Sequence, residues 1–254
     1  MIERDANGIL HIVALSGGHD STALAFLLKE KFPETPFIYV CTPTGNEYPA
    51  MFAHWRNIGE LLGRRILPIM AGTLESVIRD QKMLPNFQVR FCTRILKIEP
   101  YRKFLIDQAS KGLVVSYVGL RADEPGRAGG AYDDIEGVEM RFPLREWGMG
   151  EDDVQATLQR FGITCPDRTD CRWCYHQRLG EWFEFWRDDP EGAKYVADLE
   201  VELGGTLRSP GRDTWPVDLN SLFAEFSAGR IPSISLNRMK RERMAAGSCR
   251  ACSL

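Results

Sequence analysis

Three groups of residues have types and spacings that could do chemistry. The first is Ser16-Gly17-Gly18-His19-Asp20-Ser21. Its adjacent glycines reach φ angles that other residues resist, so successive backbone N–H groups can converge on one point. Asp20 and Ser21 then fall in the first turn of a helix, where unpaired N–H groups and the positive end of the helix dipole favour an anion. The full string points to a phosphate site, whereas a lone Gly-Gly with a Ser or Asp cap would indicate only a tight turn. The second group is the cysteines. Cys165, Cys171 and Cys174 form C-x5-C-x2-C, Cys92 lies upstream on another element, and Cys249 and Cys252 form a second C-x-x-C near the end of the sequence. Such pairs suit thiolate metal binding or dithiol chemistry. The third group is Arg121 and Arg127, in a loop at a strand terminus. Their guanidinium forks suit a phosphate or sulfate, and equally suit pairing with Asp123 and Glu124.

These residues need a scaffold, and the apolar runs supply one. Residues 9–15 read as a strand buried on both faces, with a helix over 22–28 packing back onto it. Further strands are expected near 35–41, 65–70 and 113–120, with a helix carrying Met51, Trp55, Ile58, Leu61 and Leu62 between the second and third. The alternation predicts an α/β fold, a mostly parallel sheet with helices on both faces. Ligands then collect beyond the carboxyl ends of the strands, where Ser16–Ser21 and the loop 42–49 both fall. From about residue 150 the pattern turns helical, with a helix to Phe161 and others over 177–186, 191–203 and 219–228. This divides the chain into a nucleotide-binding domain, 1–150, and a helical, cysteine-bearing extension, 151–254. Trp182, Phe183, Phe185 and Trp186 are expected to pack one helix, and Cys41 to sit in the core. The basic tail with Arg238, Lys240, Arg241, Arg243 and Arg250 reads as solvated.

Composition bounds the function. Of 254 residues, 44% are hydrophobic and 26% charged, with a net charge of −3. That is ordinary for a soluble globular protein and argues against a general nucleic-acid coat, though a local basic groove is compatible with it. No apolar run reaches membrane-span length and residues 1–8 lack a secretory pattern, so no membrane association and a cytoplasmic location are expected. In that reducing compartment clustered cysteines point to metal or redox chemistry rather than disulfides.

Taken together, SGGHDS, PTGNEYP, FCTRILKIEP, GLRADEPGRA, FPLREW and the CRWC pair resemble the phosphoadenosine phosphosulfate (PAPS) reductase-like family of the PP-loop ATP pyrophosphatases, in the family's order, over residues 9 to 175. The resemblance implies the PP-loop fold and a reaction cleaving ATP between the α and β phosphates, adenylating a substrate for sulfur or amine insertion. It implies that Ser16, Gly17, Gly18, Asp20 and Ser21 hold the phosphates, with Asp20 as Mg²⁺ partner or orienter and Ser21 as donor. His19 stands where these enzymes often have lysine, making that charge absent or pH-dependent. Thr44, Gly45 and Glu47 would line the same face, and Lys97, Arg121 and Arg127 would meet anionic parts of the substrate, Lys97 and Arg121 with catalytic roles. Two departures weigh against sulfonucleotide reduction: the loop is intact, and no Glu-Cys-Gly-Leu-His string occurs, for which the final CRAC is no convincing substitute.

In the family's iron–sulfur members one cysteine lies in the block matching FCTRILK and a C-x-x-C pair follows. The resemblance therefore implies Cys92, Cys171 and Cys174 as ligands, with Cys165 as the fourth thiolate. Four thiolates suit a [4Fe–4S] cluster or structural zinc. The alternative reading makes Cys92 a buried hydrophobe and leaves Cys165, Cys171 and Cys174 as a cluster, either a zinc site completed by His176 or without metal. The implied partners are ATP, an acceptor such as a nucleobase or nucleic acid, a sulfur donor and a second copy of the chain. Two other functions stay open: a PAPS or APS reductase, and a non-catalytic ATP-binding subunit stapled by zinc.

Overall fold

In the computed structural model, which describes residues 2–127, 129, 132–211 and 213–232, the apolar runs form strands β1 (Leu10–Ala14), β2 (Ile38–Cys41), β3 (Leu67–Pro68), β4 (Val114–Tyr117) and β5 (Val138–Arg141). All pair in parallel, in the order β3-β2-β1-β4-β5. The expected α/β fold is therefore observed. The strand expected over 65–70 pairs only at Leu67 and Pro68, and β5 joins the opposite edge.

Successive side chains of a strand face opposite sides of the sheet. Val13, Leu15, Tyr39 and Cys41 pack on one face with helices α1 (His19–Lys31), α2 (Pro49–Leu62) and α7 (Glu151–Arg160). Leu10, Ile12, Ala14 and Val40 pack on the other, with α5 (Glu99–Ala109). Helix α1 is buried from Asp20 to Leu28, as its apolar run Ala23–Leu28 requires, because it lies between the sheet and α7. Helix α4 (Phe91–Thr93), a π-helical turn (Arg94–Ile98) and α5 follow one another without a break.

A further core joins α3 (Leu74–Gln81), Phe91 and Leu96 to helices α8 (Leu179–Asp188), α9 (Pro190–Leu203) and α10 (Leu219–Ser227). Trp182 and Phe185 are buried in it, as the spacing of the aromatics suggested. Helix α7 packs Val154 and Leu158 with α1, and α3 packs with α8, α9 and α10. The short α6 (Pro143–Glu146) follows β5. No helix among the described residues is long and apolar enough to cross a membrane.

Candidate functional site

The sheet order changes direction at β1, so the crevice beyond β1 and β4 is the topological switch point where open parallel sheets hold ligands. Ser16, Gly17 and Gly18 turn the chain there into α1. Gly17 has φ +89°, and a Cβ at that position would stand 2.6 Å from Trp55 Nε1 and 2.7 Å from Met51 Cε. Only glycine fits. Trp55 Nε1 in turn donates to the Ser16 carbonyl at 3.2 Å. Ser21 Oγ accepts from Gly17 N at 3.2 Å, donates to Gly18 O at 3.2 Å, and lies 2.9 Å from Ser16 Oγ. The two hydroxyls thus brace the loop from within, while the first-turn N–H groups of α1 face the crevice end of the helix. His19 is half-buried, and burial holds its imidazole below the usual histidine range, against the pull of Asp20 and Asp167.

Asp20 is buried rather than presented to the crevice. Its Oδ1 is 3.2 Å from Arg121 Nη1 and its Oδ2 is 3.5 Å from Arg127 Nη1. Burial raises the Asp20 carboxyl pKa, and Arg121 opposes that shift. Arg121, 3% exposed, also meets Asp123 at 2.9 Å and Glu124 at 3.5 Å. The expected pairing with Asp123 and Glu124 is present, yet Arg121 is buried rather than solvated and spans from the loop after β4 to α1. Gly119 makes this approach possible, since a Cβ there would sit 3.0 Å from Asp20 C and Ser21 N. Arg127 pairs with Glu124 at 3.0 Å and keeps part of its surface exposed. Arg145 of FPLREW holds the same loop by donating to the carbonyls of Arg121, Glu124 and Arg127. In this arrangement Asp20 and Arg121 tie α1 to the loop after β4.

Beyond β2, Glu47 is buried and its Oε1 accepts from Thr44 N at 2.6 Å and Thr44 Oγ1 at 2.7 Å. Its Oε2 is buried without a hydrogen-bond partner. Gly45, φ +74°, turns close against Thr73. The loop is stitched to the cysteine segment: Glu47 bridges to Cys171, Arg172 N donates to Asn46 O at 2.8 Å, and Tyr48 OH donates to Arg172 O at 3.1 Å. Thr44 Oγ1 lies 3.3 Å from Cys171 Sγ.

Cys92, Cys171 and Cys174 line one cavity of about 20 Å³ together with Thr44 and Lys97. Lys97, on the π-helical turn, therefore faces the thiols. Cys165 is elsewhere. It is packed with α1 and α7 beside Thr22, and burial pushes its thiol up to about 11. The four-thiolate set is not assembled, because the strand-to-helix packing on α1 takes Cys165 away from the other three. His176 packs edge-on to Phe87. Among the described residues no group of three or more His, Cys, Asp or Glu side chains is arranged around an ion position. The three thiols have the donor chemistry for a thiophilic metal, and the cavity as it stands holds about one water-sized group. Cys41 is a core residue, as expected, with burial pushing its thiol up to about 12. Cys249, Cys252 and the basic tail lie outside the described residues.

Sequence reading missed what α2 does for the site. Trp55 and Met51 of α2 back the Ser16–Ser21 loop. The same helix and β3 wall a groove of about 720 Å³ lined by Pro43, Phe52, Trp55, Met70, Arg56 and Arg65. Trp55 joins this groove to the loop.

The family model of the phosphoadenosine phosphosulfate reductase domain matches residues 11–161. A curated relative, the uncharacterized nin region protein ORF290 of Escherichia phage lambda, is 22% identical over 283 residues, covering 95% of this chain and 93% of the relative. Among solved structures, the phosphoadenylyl-sulfate reductase of Candida auris in complex with phosphate is similar at 11% identity over 61% of this chain and 74% of that one, TM-score 0.45. The U34-tRNA thiolase NcsA of Methanococcus maripaludis with its [4Fe–4S] cluster is similar at 17% identity over 85% of this chain and 78% of that one, TM-score 0.49. The family match takes in the loop Ser16–Ser21, the loop after β2 and the Arg121–Arg145 region, more than half of the sequence, and on that ground the chain belongs to the phosphoadenosine phosphosulfate reductase domain family.

Proposed function

We propose that this chain binds ATP with its phosphates on the Ser16–Ser21 loop and cleaves it between the α and β phosphates, adenylating an acceptor. The observation that carries the reading is the intact loop: Gly17 at φ +89° and the Ser16 and Ser21 hydroxyls brace a turn that leads into the N-terminus of α1. Such a turn offers backbone N–H groups to a polyphosphate. The groove beside Trp55 has the apolar walls an adenosine would need and lies next to the loop. The loop's contribution to rate is positioning, and stabilisation of charge on the leaving pyrophosphate. Arg127, partly exposed beside Asp20, is the guanidinium that would offset that charge.

Mg²⁺ would shield the polyphosphate oxygens. Both Asp20 oxygens face arginines, so in this reading the ion arrives on the nucleotide and keeps much of its water, as Mg²⁺ commonly does. Cys92, Cys171 and Cys174 are the residues that would hold a thiolate-bound metal; their cavity of about 20 Å³ suits a single ion such as zinc, and a [4Fe–4S] cluster would require it to widen. Such a group would supply thiolate-bound metal chemistry beside the acceptor. The acceptor class we favour is a nucleobase or nucleic-acid group receiving sulfur or an amine.

The test is release of pyrophosphate and AMP from ATP and Mg²⁺, in the presence of candidate acceptors, by anaerobically purified protein. Ser21→Ala, which removes a hydroxyl that braces the loop, is expected to lower the rate by at least about tenfold, the scale of one lost oriented hydrogen bond at a charged group. Sulfite from PAPS without pyrophosphate would instead make the chain a reductase. Equal pyrophosphate release by wild type and Ser21→Ala would remove the loop from the reaction.

A further inference from the structure

Helix α2 brings one more residue to the loop, and no role described above uses it. His54 is 6% exposed, its ring hydrogen-bonds the backbone of Gly17, and its Nε2 is buried without a hydrogen-bond partner. Met51 and Trp55 of the same helix face close around Gly17, so the loop rests on a wall of α2 whose polar member is this imidazole. An unpaired buried nitrogen is costly and calls for an explanation. The loop Ser16–Ser21 itself contains no lysine or arginine, and position 19 is histidine.

We propose that His54 is a positioning residue of the phosphate loop that takes up a proton when a polyphosphate anion occupies the loop. The neutral ring holds Gly17, and the charged ring holds Gly17 and offsets the anion. This rests on the loop being the polyphosphate site. Burial is the main cause that lowers the His54 pKa, with facing His19 acting in the same direction and the Gly17 bond opposing. His19 is in turn faced by Asp20, Asp167 and Arg121. An anion brought against Gly17 adds opposite charge and favours the imidazolium. By linkage, binding then takes up a proton, and affinity rises as pH falls through the window between the His54 midpoints of the bound and the free protein.

The probe is inorganic pyrophosphate, titrated calorimetrically into the full chain in buffers of different ionisation heat. His54→Gln keeps an amide donor for Gly17 and cannot titrate. It is expected to bind with clearly less proton uptake than wild type, and with a flatter dependence of affinity on pH. The second measurement needs only wild type for its result. The chain has four histidines, and the His54 imidazole signal, assigned by comparison with single variants, should titrate about one unit higher in the pyrophosphate-saturated protein. Equal proton uptake in the two proteins, or a His54 midpoint that pyrophosphate does not move, overturns the proposal. A wild type that binds no pyrophosphate overturns both this and the ATP reading, whereas binding with a static His54 overturns this one alone.

Discussion

Cys92, Cys171 and Cys174 share a cavity with Thr44 and Lys97, whereas Cys165 is closed in between α1 and α7. The difference is chemical, because a metal takes the thiolate and an apolar site disfavours it. Cys165, pushed up to about 11 by burial, is a poor ligand where it stands. Replacing Cys92 or Cys171 by serine should therefore remove most of the iron or zinc bound by anaerobically prepared protein, with acid-labile sulfide telling the two apart. Cys165→Ser should leave metal content unchanged and cost about 1–3 kcal/mol of stability, the range for a hydroxyl buried in place of an apolar group. Equal metal loss from Cys92→Ser and Cys165→Ser would return Cys165 to the ligand set. Residue identity in the sequence could not make this distinction. C-x5-C-x2-C places three thiols near one another along the chain, but which of them point to a common space depends on α1 and α7 packing around Cys165.

At the scale of elements, the loop between β1 and α1 is held by α2. Gly17 needs a positive φ and leaves no room for a methyl group under Trp55 and Met51. Gly17→Ala is expected to cost about 1–3 kcal/mol through backbone strain and crowding, and to weaken pyrophosphate binding severely. Gly126→Ala, with open space around the position, should change neither. Denaturant unfolding and calorimetry of both variants check this, and a Gly17→Ala protein with wild-type affinity would show that the loop does not cradle the anion. The loop was legible from sequence because its signal is local: glycines, an N-terminal helical turn and an apolar strand lie within one short segment. Its supports were not. The Asp20–Arg121 tie joins residues 101 positions apart, and Trp55 reaches the Ser16 carbonyl across 39. β5 escaped notice for a different reason. Its side chains Glu139 and Arg141 are exposed on an edge strand, so Val138–Arg141 lacks the apolar run by which the central strands are recognised.

Across the whole molecule, the cysteine cavity depends on the core that joins α3 and the π-helical turn to the C-terminal helices, since Trp173 and Cys174 belong to it. One carboxylate organises the far side of that core. Glu200 of α9 is buried, with Oε1 accepting from Leu207 N and Oε2 from Leu219 N, both at 2.7 Å, so it ties α9 to the start of α10. The two N–H groups favour the carboxylate, but burial dominates and pushes its carboxyl from 4.5 up to about 7. Between those values the folded chain binds more protons here than the unfolded chain. The stabilisation linked to that proton is fully present below about pH 4.5 and is lost as pH rises through about 7. A shift of this size corresponds to a loss on the order of 3 kcal/mol across the window. Denaturant midpoints measured from pH 5 to pH 8 should therefore fall for wild type, and Glu200→Gln, which cannot titrate, should flatten the slope while losing one of the two backbone acceptors. An unchanged slope in Glu200→Gln would assign the pH dependence to another group. If the slope does flatten, metal content of the cysteine cavity followed over the same pH range will show whether loosening at α9 reaches Cys174, because both are packed in one core.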